Sequence, residues 1–159
     1  MSWHIAPVEL LNYFVKSFSL DTNMKCEKDK PRDLSLKNIV ITNRIFPAKK
    51  HKNCYMVFLN LEMKVPEGKN TPYAIKMEMF GRFQVSEKVP DELREMMVKT
   101  NGSSILYGAA REIIKEMTGR GIFRKIQFPT VSFAELKKKD DSKNQSELLK
   151  TKKPVKLGN

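Results

Sequence analysis

Residues 103–123 read SSILYGAAREIIKEMTGRGIF. Ile105, Ala109, Ile113 and Met117 recur at a spacing of four, with Leu106, Ala110 and Ile114 beside them, so the first two thirds predict an amphipathic helix with a wide apolar stripe. Ser103 or Ser104 can cap its start, and Gly119 can stop it. Glu112 and Lys115 face each other on the outside at a spacing of three. Two glycines then fall close together, and Ile122 and Phe123 follow at once. A stripe this wide, holding two alanines, can face its own sheet alone, or its sheet on one side and a second chain on the other. On the second reading Ile105, Ala109, Ala110, Ile113 and Met117 form an assembly surface.

Upstream of residue 86 the apolar period is two, as strands require. Val8, Leu10, Phe14, Phe18 and Leu20 share one parity, and residues 21–33, charged and holding Pro31, read as a long connection. A second strand over residues 34–46 switches parity from Leu34 and Leu36 to Ile39, Ile41 and Ile45, as a bulge near Asn38 would produce. After the turn at residues 47–53, Tyr55, Val57, Leu59, Leu61, Met63 and Val65 fall on one face, with Asn60, Glu62 and Lys64 on the other. Past the turn formers of residues 66–72, Tyr73, Ile75, Met77, Met79, Phe83 and Val85 repeat the pattern. The short links among the last three strands call for an antiparallel sheet.

Pro90 and the acidic start of residues 91–100 predict a short helix of their own. The expectation is one α+β domain over residues 1–137: a four-stranded antiparallel sheet with a long helix of the C-terminal half packed on one face. The Lys-rich residues 138–159 read as a flexible tail. Cys54, Met56, Phe58 and Phe80 have the parity opposite to the core, as do Leu11, Tyr13 and Val15, so the outer sheet face is partly apolar and contact with another subunit is its expected cover.

A length of 159 residues bounds the chain to one domain with a modest core. No apolar run approaches the roughly 20 residues of a membrane helix. The start MSWHIAPVELLNYF lacks the basic, apolar and small-residue regions of a signal peptide, so a cytoplasmic protein is expected, without stable membrane insertion. Two cysteines and two histidines make neither a disulfide framework nor a metal set, and no cofactor is expected. The formal charge of +12 is not a tail effect, since residues 134–159 hold 8 Lys against 4 acids and leave +8 on residues 1–133. That charge favours acidic partners, nucleic acid among them, and keeps a sticky protein soluble.

The residues Ile105-Leu106, Ala110-Arg111-Glu112, Arg120-Gly121, Phe123, Pro129, Val131 and Phe133 resemble the signature of SecB-type export chaperones, with its internal spacing kept. Met79-Phe80-Gly81-Arg82-Phe83 stands where that family has its Gly-Gly-x-Phe strand segment, and the resemblance covers roughly residues 8–137. It implies a homo-oligomer, a dimer of dimers with helices sandwiched between sheets. It also implies a holdase, not an enzyme, that keeps unfolded or precursor polypeptides in long apolar grooves without ATP and delivers them to a SecA-type motor. Arg120 and Gly121 would then end the helix so that the next loop lies along a groove. The groove residues it points to are Ile122, Phe123, Ile126, Phe128 and Phe133 from the loop, with Phe46, Tyr55, Met77, Met79 and Phe83 from the sheet, although inward strand residues serve equally well as ordinary core. The chain departs from the family in charge. Lys76, followed by Glu78, stands at an aligned strand position, and a Lys-rich end replaces an acidic or polar one. Basic charge points to acidic clients, or to a dedicated partner such as an antitoxin or a mobile-element protein.

Two other classes stay in view. A nucleic-acid-binding module would use the +12 charge and the KKHK cluster at residues 49–52, which otherwise reads as a solvated hairpin tip; no RRM, KH or zinc-finger motif accompanies them. An enzyme would need a phosphate loop, a nucleophile elbow or an HExxH helix, and none is present. Cys26 and Cys54 have no His or acid placed to activate them.

Overall fold

The computed structural model describes residues 6–30, 36–49, 51–123 and 125–134. Strands β1 (Val8–Thr22), β2 (Ile39–Pro47), β3 (Cys54–Met63) and β4 (Tyr73–Val85) form one antiparallel sheet in the order β1-β4-β3-β2. Helices α1 (Asp91–Met97) and α2 (Ser103–Gly119) come next along the chain. This is the expected α+β architecture. The expected tail at residues 138–159, and the boundary before it, lie outside the described residues.

In β3 and β4 the alternation is as regular as the sequence suggests. Val57, Leu59, Leu61 and Met63 are buried on β3, as are Tyr73, Ile75, Met77, Met79, Phe83 and Val85 on β4. They form the floor of the core because every second side chain of a pleated strand points to the same layer.

β1 breaks its own alternation twice. Its pairing with β4 shifts register between Leu10 and Asn12 and again between Val15 and Ser17, so Leu11 and Lys16 are each an extra residue. Tyr13 and Val15 therefore pair with Gly81 and Met79 on the helix side, while Phe14 pairs with Phe80 on the outer side. The faces read from parity for Phe14, Tyr13 and Val15 are thus exchanged, because one inserted residue inverts every side chain after it. On β2 the parity change predicted near Asn38 is made by a single 3-10 turn, Leu36–Asn38, ahead of the strand. Phe46 pairs with Met56 and lies on the outer face, 48% exposed, instead of lining the core side.

The two predicted helices are one helical path. Ser103 has α-helical φ and ψ, so it is not a cap, and Val98–Gly102 form a π-helical turn that carries the backbone through. Two polar residues fasten this path to the sheet. Asn43, on the inner face of β2, donates to Ser103 Oγ at 2.7 Å and to the Lys99 carbonyl at 3.5 Å. Arg94, buried on α1, donates to the carbonyls of Val89 (2.8 Å) and Glu87 (3.2 Å) and to Asn53 Oδ1 (2.6 Å), and pairs with Asp91. Asn53 holds a left-handed φ of 60°, which Asn tolerates better than most residues, and its carbonyl accepts from Val85 N. One side chain thereby ties α1, the β2–β3 turn and the end of β4 together.

Glycines set the depth at which the helix lies. A Cβ on Gly81 would stand 2.7 Å from Phe83 Cε2 and 3.2 Å from Leu106 Cδ1, and one on Gly102 would stand 3.4 Å from Val57 Cγ2. Both Phe83 and Leu106 are fully buried, so neither can swing away. Gly81→Val is expected to lower stability by about 1–3 kcal/mol through overpacking. Urea unfolding should show a lower midpoint with an unchanged slope.

Candidate polypeptide-binding and assembly surfaces

α2 presents three apolar or partly apolar rows. Leu106, Ala110, Ile114 and Thr118 are fully buried against the sheet and the chain beyond the helix. Tyr107 and Arg111 turn to that same stretch of chain. Ile105, Ala109, Ile113 and Met117 make the third row, which looks toward β1; Ile105 is 39% and Met117 41% exposed. Ala110 therefore leaves the predicted assembly set, because it is fully buried in its own chain. The other four remain together on an open flank.

The helix lies over β4 and β3; on the helix side of β1, Val8 is buried and Leu10, Phe18 and Leu20 are half-buried against the core, but the middle of the strand stays open. Tyr13 and Val15, brought to that side by the first bulge, are 45% and 38% exposed. Tyr13, Ala109 and Ile113 share a cleft of about 780 Å³ whose other walls are Glu112, Lys115, Glu116, Arg120 and Lys125. The Lys115–Glu112 pair (3.1 Å) and the Arg120–Glu116 pair (2.8 Å) stand along this side of the helix. The cleft has an apolar floor and a charged wall, the arrangement of an interface with a dry centre and a wet rim.

After Gly119 the described chain doubles back along α2 as a strap, residues 120–123 and 125–134. The turn is tight because Gly121 presses on Tyr73: a Cβ there would collide with the Tyr73 hydroxyl and ring. No left-handed φ is involved. The Tyr73 hydroxyl lies within hydrogen-bond distance of the carbonyls of Phe123 (3.2 Å) and Thr118 (3.4 Å), and it accepts from Phe123 N at 3.2 Å. Ile126 N donates to Thr118 Oγ1 at 3.1 Å. Arg111 Nε donates to the Phe128 carbonyl at 2.9 Å, and the Tyr107 hydroxyl to that of Pro129 at 2.8 Å. Edge-on ring contacts, Tyr73 with Phe123 and Tyr107 with Phe133, close each end. Side chains from the helix and sheet thus satisfy the polar backbone of a segment with no strand partner of its own.

The strap turns its apolar side chains inward. Phe123, Ile126, Phe128 and Phe133 are at most 5% exposed, and Met77, Met79 and Phe83 lie in the same core. Seven of the ten predicted groove residues are therefore packed within the chain itself. The other three are not neighbours. Ile122, 57% exposed, sits at the strap's start beside the Tyr73 end of β4, Tyr55 pairs with Phe83 near the far end, and Phe46 is on the outer face. Ten residues of β4 separate Tyr73 from Phe83, roughly 30 Å of strand. Sequence reasoning missed Tyr107, Arg111 and Thr118, whose polar ends hold the strap; their places beside the sheet-facing row were the only available signal.

Among the described residues no cluster of three His, Cys, Asp or Glu side chains could hold a metal ion, and no helix is long and apolar enough to cross a membrane. Cys54 is buried, its Sγ 2.8 Å from Gln84 Oε1.

The chain matches the profile of a known family. That profile, described as preprotein translocase subunit SecB, covers residues 5–144. The chain belongs to the SecB family. The protein-export protein SecB of two strains of Acidithiobacillus ferrooxidans is 27% identical over 90 residues, which is 57% of this chain. The match spans 60% of those relatives' own length. In fold the chain resembles a SecB-like chaperone of Mycobacterium tuberculosis, solved with a ChAD peptide from the HigA1 antitoxin. The TM-score is 0.56 at 11% identity, covering 79% of this chain and 88% of that one.

Burial pushes the Tyr107 hydroxyl above the usual phenol value, with the Arg111 charge opposing it. As pH rises through about 10 the unfolded chain ionises first, so stability present below that pH is lost above it until the folded hydroxyl titrates. Tyr107→Phe is expected to cost about 1 kcal/mol at neutral pH by removing the bond to Pro129. It should also flatten the alkaline fall, as thermal unfolding across pH 8–11 would record.

Proposed function

We propose that this SecB-family chain is an ATP-independent holdase that assembles through the open flank of α2 and retains unfolded or export-bound polypeptides in the cytoplasm. The observation that carries the reading is that flank. Tyr13, Val15, Ile105 and Met117 are between 38% and 45% exposed, and half-buried Ala109 and Ile113 share a cleft with Tyr13. Apolar contact is non-directional and scales with area, about 25 cal/mol per Å² buried, which suits both self-association and weak binding of many sequences. The flank serves copies of the chain, in a dimer of dimers. The strap's exposed start at Ile122 serves the client. Transfer of clients to a SecA-type motor belongs to this reading as its final step.

A second reading, a dedicated chaperone for one acidic partner such as an antitoxin or mobile-element protein, is favoured by one observation. The body of the chain is basic, +8 over residues 1–133, whereas a general carrier needs no such bias.

The test is to dilute an unfolded, aggregating test protein into the purified chain and follow light scattering at low and high salt, with native mass measured alongside. Suppression that survives high salt, by an oligomer, is expected. Ile113→Asp with Met117→Asp should split the oligomer by placing charge in its apolar centre. Ile122→Ser should weaken retention and leave assembly intact. Absence of suppression, together with salt-sensitive binding of oligonucleotides, would sink the holdase.

A further inference from the structure

The second apolar surface of the molecule is on the opposite side of the sheet and has a different chemistry. The first shift in β1, at Leu11, puts Phe14 in register with Phe80 of β4, Phe58 of β3 and Arg44 of β2. The adjacent row is Asn12, Arg82, Met56 and Phe46. Phe14 is 55% and Phe46 48% exposed, while Phe58, Phe80 and Met56 are half-buried. Aromatic side chains flanked by two guanidinium groups thus run across all four strands.

The carboxylates of this face are spoken for, and its guanidinium groups are not. Glu78 is 2.8 Å from Lys16 Nζ and accepts from Ser17; the Lys16 bond chiefly holds its carboxyl below the usual range. Glu62 is 3.5 Å from Lys76 and 3.9 Å from Lys64. Neither Arg44 nor Arg82 makes an ion pair among the described residues. Glu9, beyond Arg82 in the row of Gln84, is the remaining acid near the aromatic patch and pairs with neither. An apolar patch rimmed by free guanidinium groups complements a partner that carries apolar side chains and carboxylates.

Ring geometry selects among acidic partners. Phe14 and Phe80 stack on each other, centroids 5.3 Å apart and planes 17° apart, and Phe58 leans on Phe80 at 4.9 Å. Phe80 is thus engaged by two rings and Phe14 by one, which leaves too few free ring faces for the successive bases of a single strand to stack on. The rings, with Met56 and Phe46 of the adjacent row, make an apolar patch suited to aliphatic side chains instead. A second copy fits poorly as well, because the same two arginines would approach each other on bodies that are both strongly positive.

We propose that the outer sheet face is a docking surface for an acidic polypeptide segment, with apolar side chains seated on the Phe14–Phe80–Phe58 row and carboxylates on Arg44 and Arg82. It is separate from the flank and strap of α2, so the two surfaces can fail independently.

The experiment is fluorescence anisotropy on the full chain with a labelled peptide of about twelve residues mixing Leu and Phe with Glu. The Glu peptide is expected to bind about tenfold or more tightly than its Lys counterpart. R44E with R82E should reverse that preference, while R44K with R82K should keep most of it. Circular dichroism and urea midpoints of both double variants should match the parent, since Arg44 is exposed and Arg82 half-exposed. F14S should weaken both peptides, and I122S or I113D with M117D should change neither. The proposal falls if R44E with R82E leaves affinity unchanged, or if an oligouridylate displaces the peptide and binds more tightly than it does. It falls equally if sedimentation shows that F14S abolishes self-association, which would make the face a contact between copies.

Discussion

A helix can lie low on the middle of a sheet only where the strand beneath it carries no side chain in the way. Gly81 provides that gap in β4, and Gly102 provides it on the helical side, so Leu106 and Phe83 interlock at the centre of the core. Much of the remaining structure depends on this one close approach. A helix seated over β4 and β3 leaves the middle of β1 less covered than its ends, so Tyr13 and Val15 stay open to contact. It also brings Tyr107, Arg111 and Thr118 to the height at which they can catch the backbone of the returning strap.

The strap gives the molecule two kinds of apolar surface. Phe123, Ile126, Phe128 and Phe133 are committed to the fold, held by hydrogen bonds from helix and sheet. The flank of α2 and the aromatic row outside the sheet are not committed. They differ in what surrounds them: the flank has Glu112 and Glu116 as well as Lys115, Arg120 and Lys125 along its edge, whereas the outer row meets two arginines that make no ion pair among the described residues. Two apolar surfaces with different charge can recognise different partners even when the apolar contact itself discriminates little.

The central architecture was legible because it rests on repetition. Six inward residues in β4, and the matching set in β3, alternate without interruption, and α2 keeps its spacing of four throughout. What sequence could not show was where a single residue changes the frame. Leu11 and Lys16 look like ordinary members of a strand, yet each inverts the side chains after it, so Phe14, Tyr13 and Val15 were assigned to the wrong sides. Asn43 resembles an outward polar residue and is instead the peg between β2 and the helix. The strap's phenylalanines were readable as important and unreadable as to role, since an apolar side chain meets its own core and a guest polypeptide by the same physics. The resemblance to SecB identified the right segment without distinguishing these uses.

β1 is a long strand at the margin of the sheet, and its two inserted residues have a consequence for the protein's behaviour when crowded. Each one interrupts the row of free N–H and C=O groups, so an incoming strand can form only a short ladder before its own groups fall out of step. A fibril grows by endless repetition of one straight edge. A margin broken in two places denies that repetition, letting a protein display greasy side chains for useful encounters without offering a template for runaway stacking.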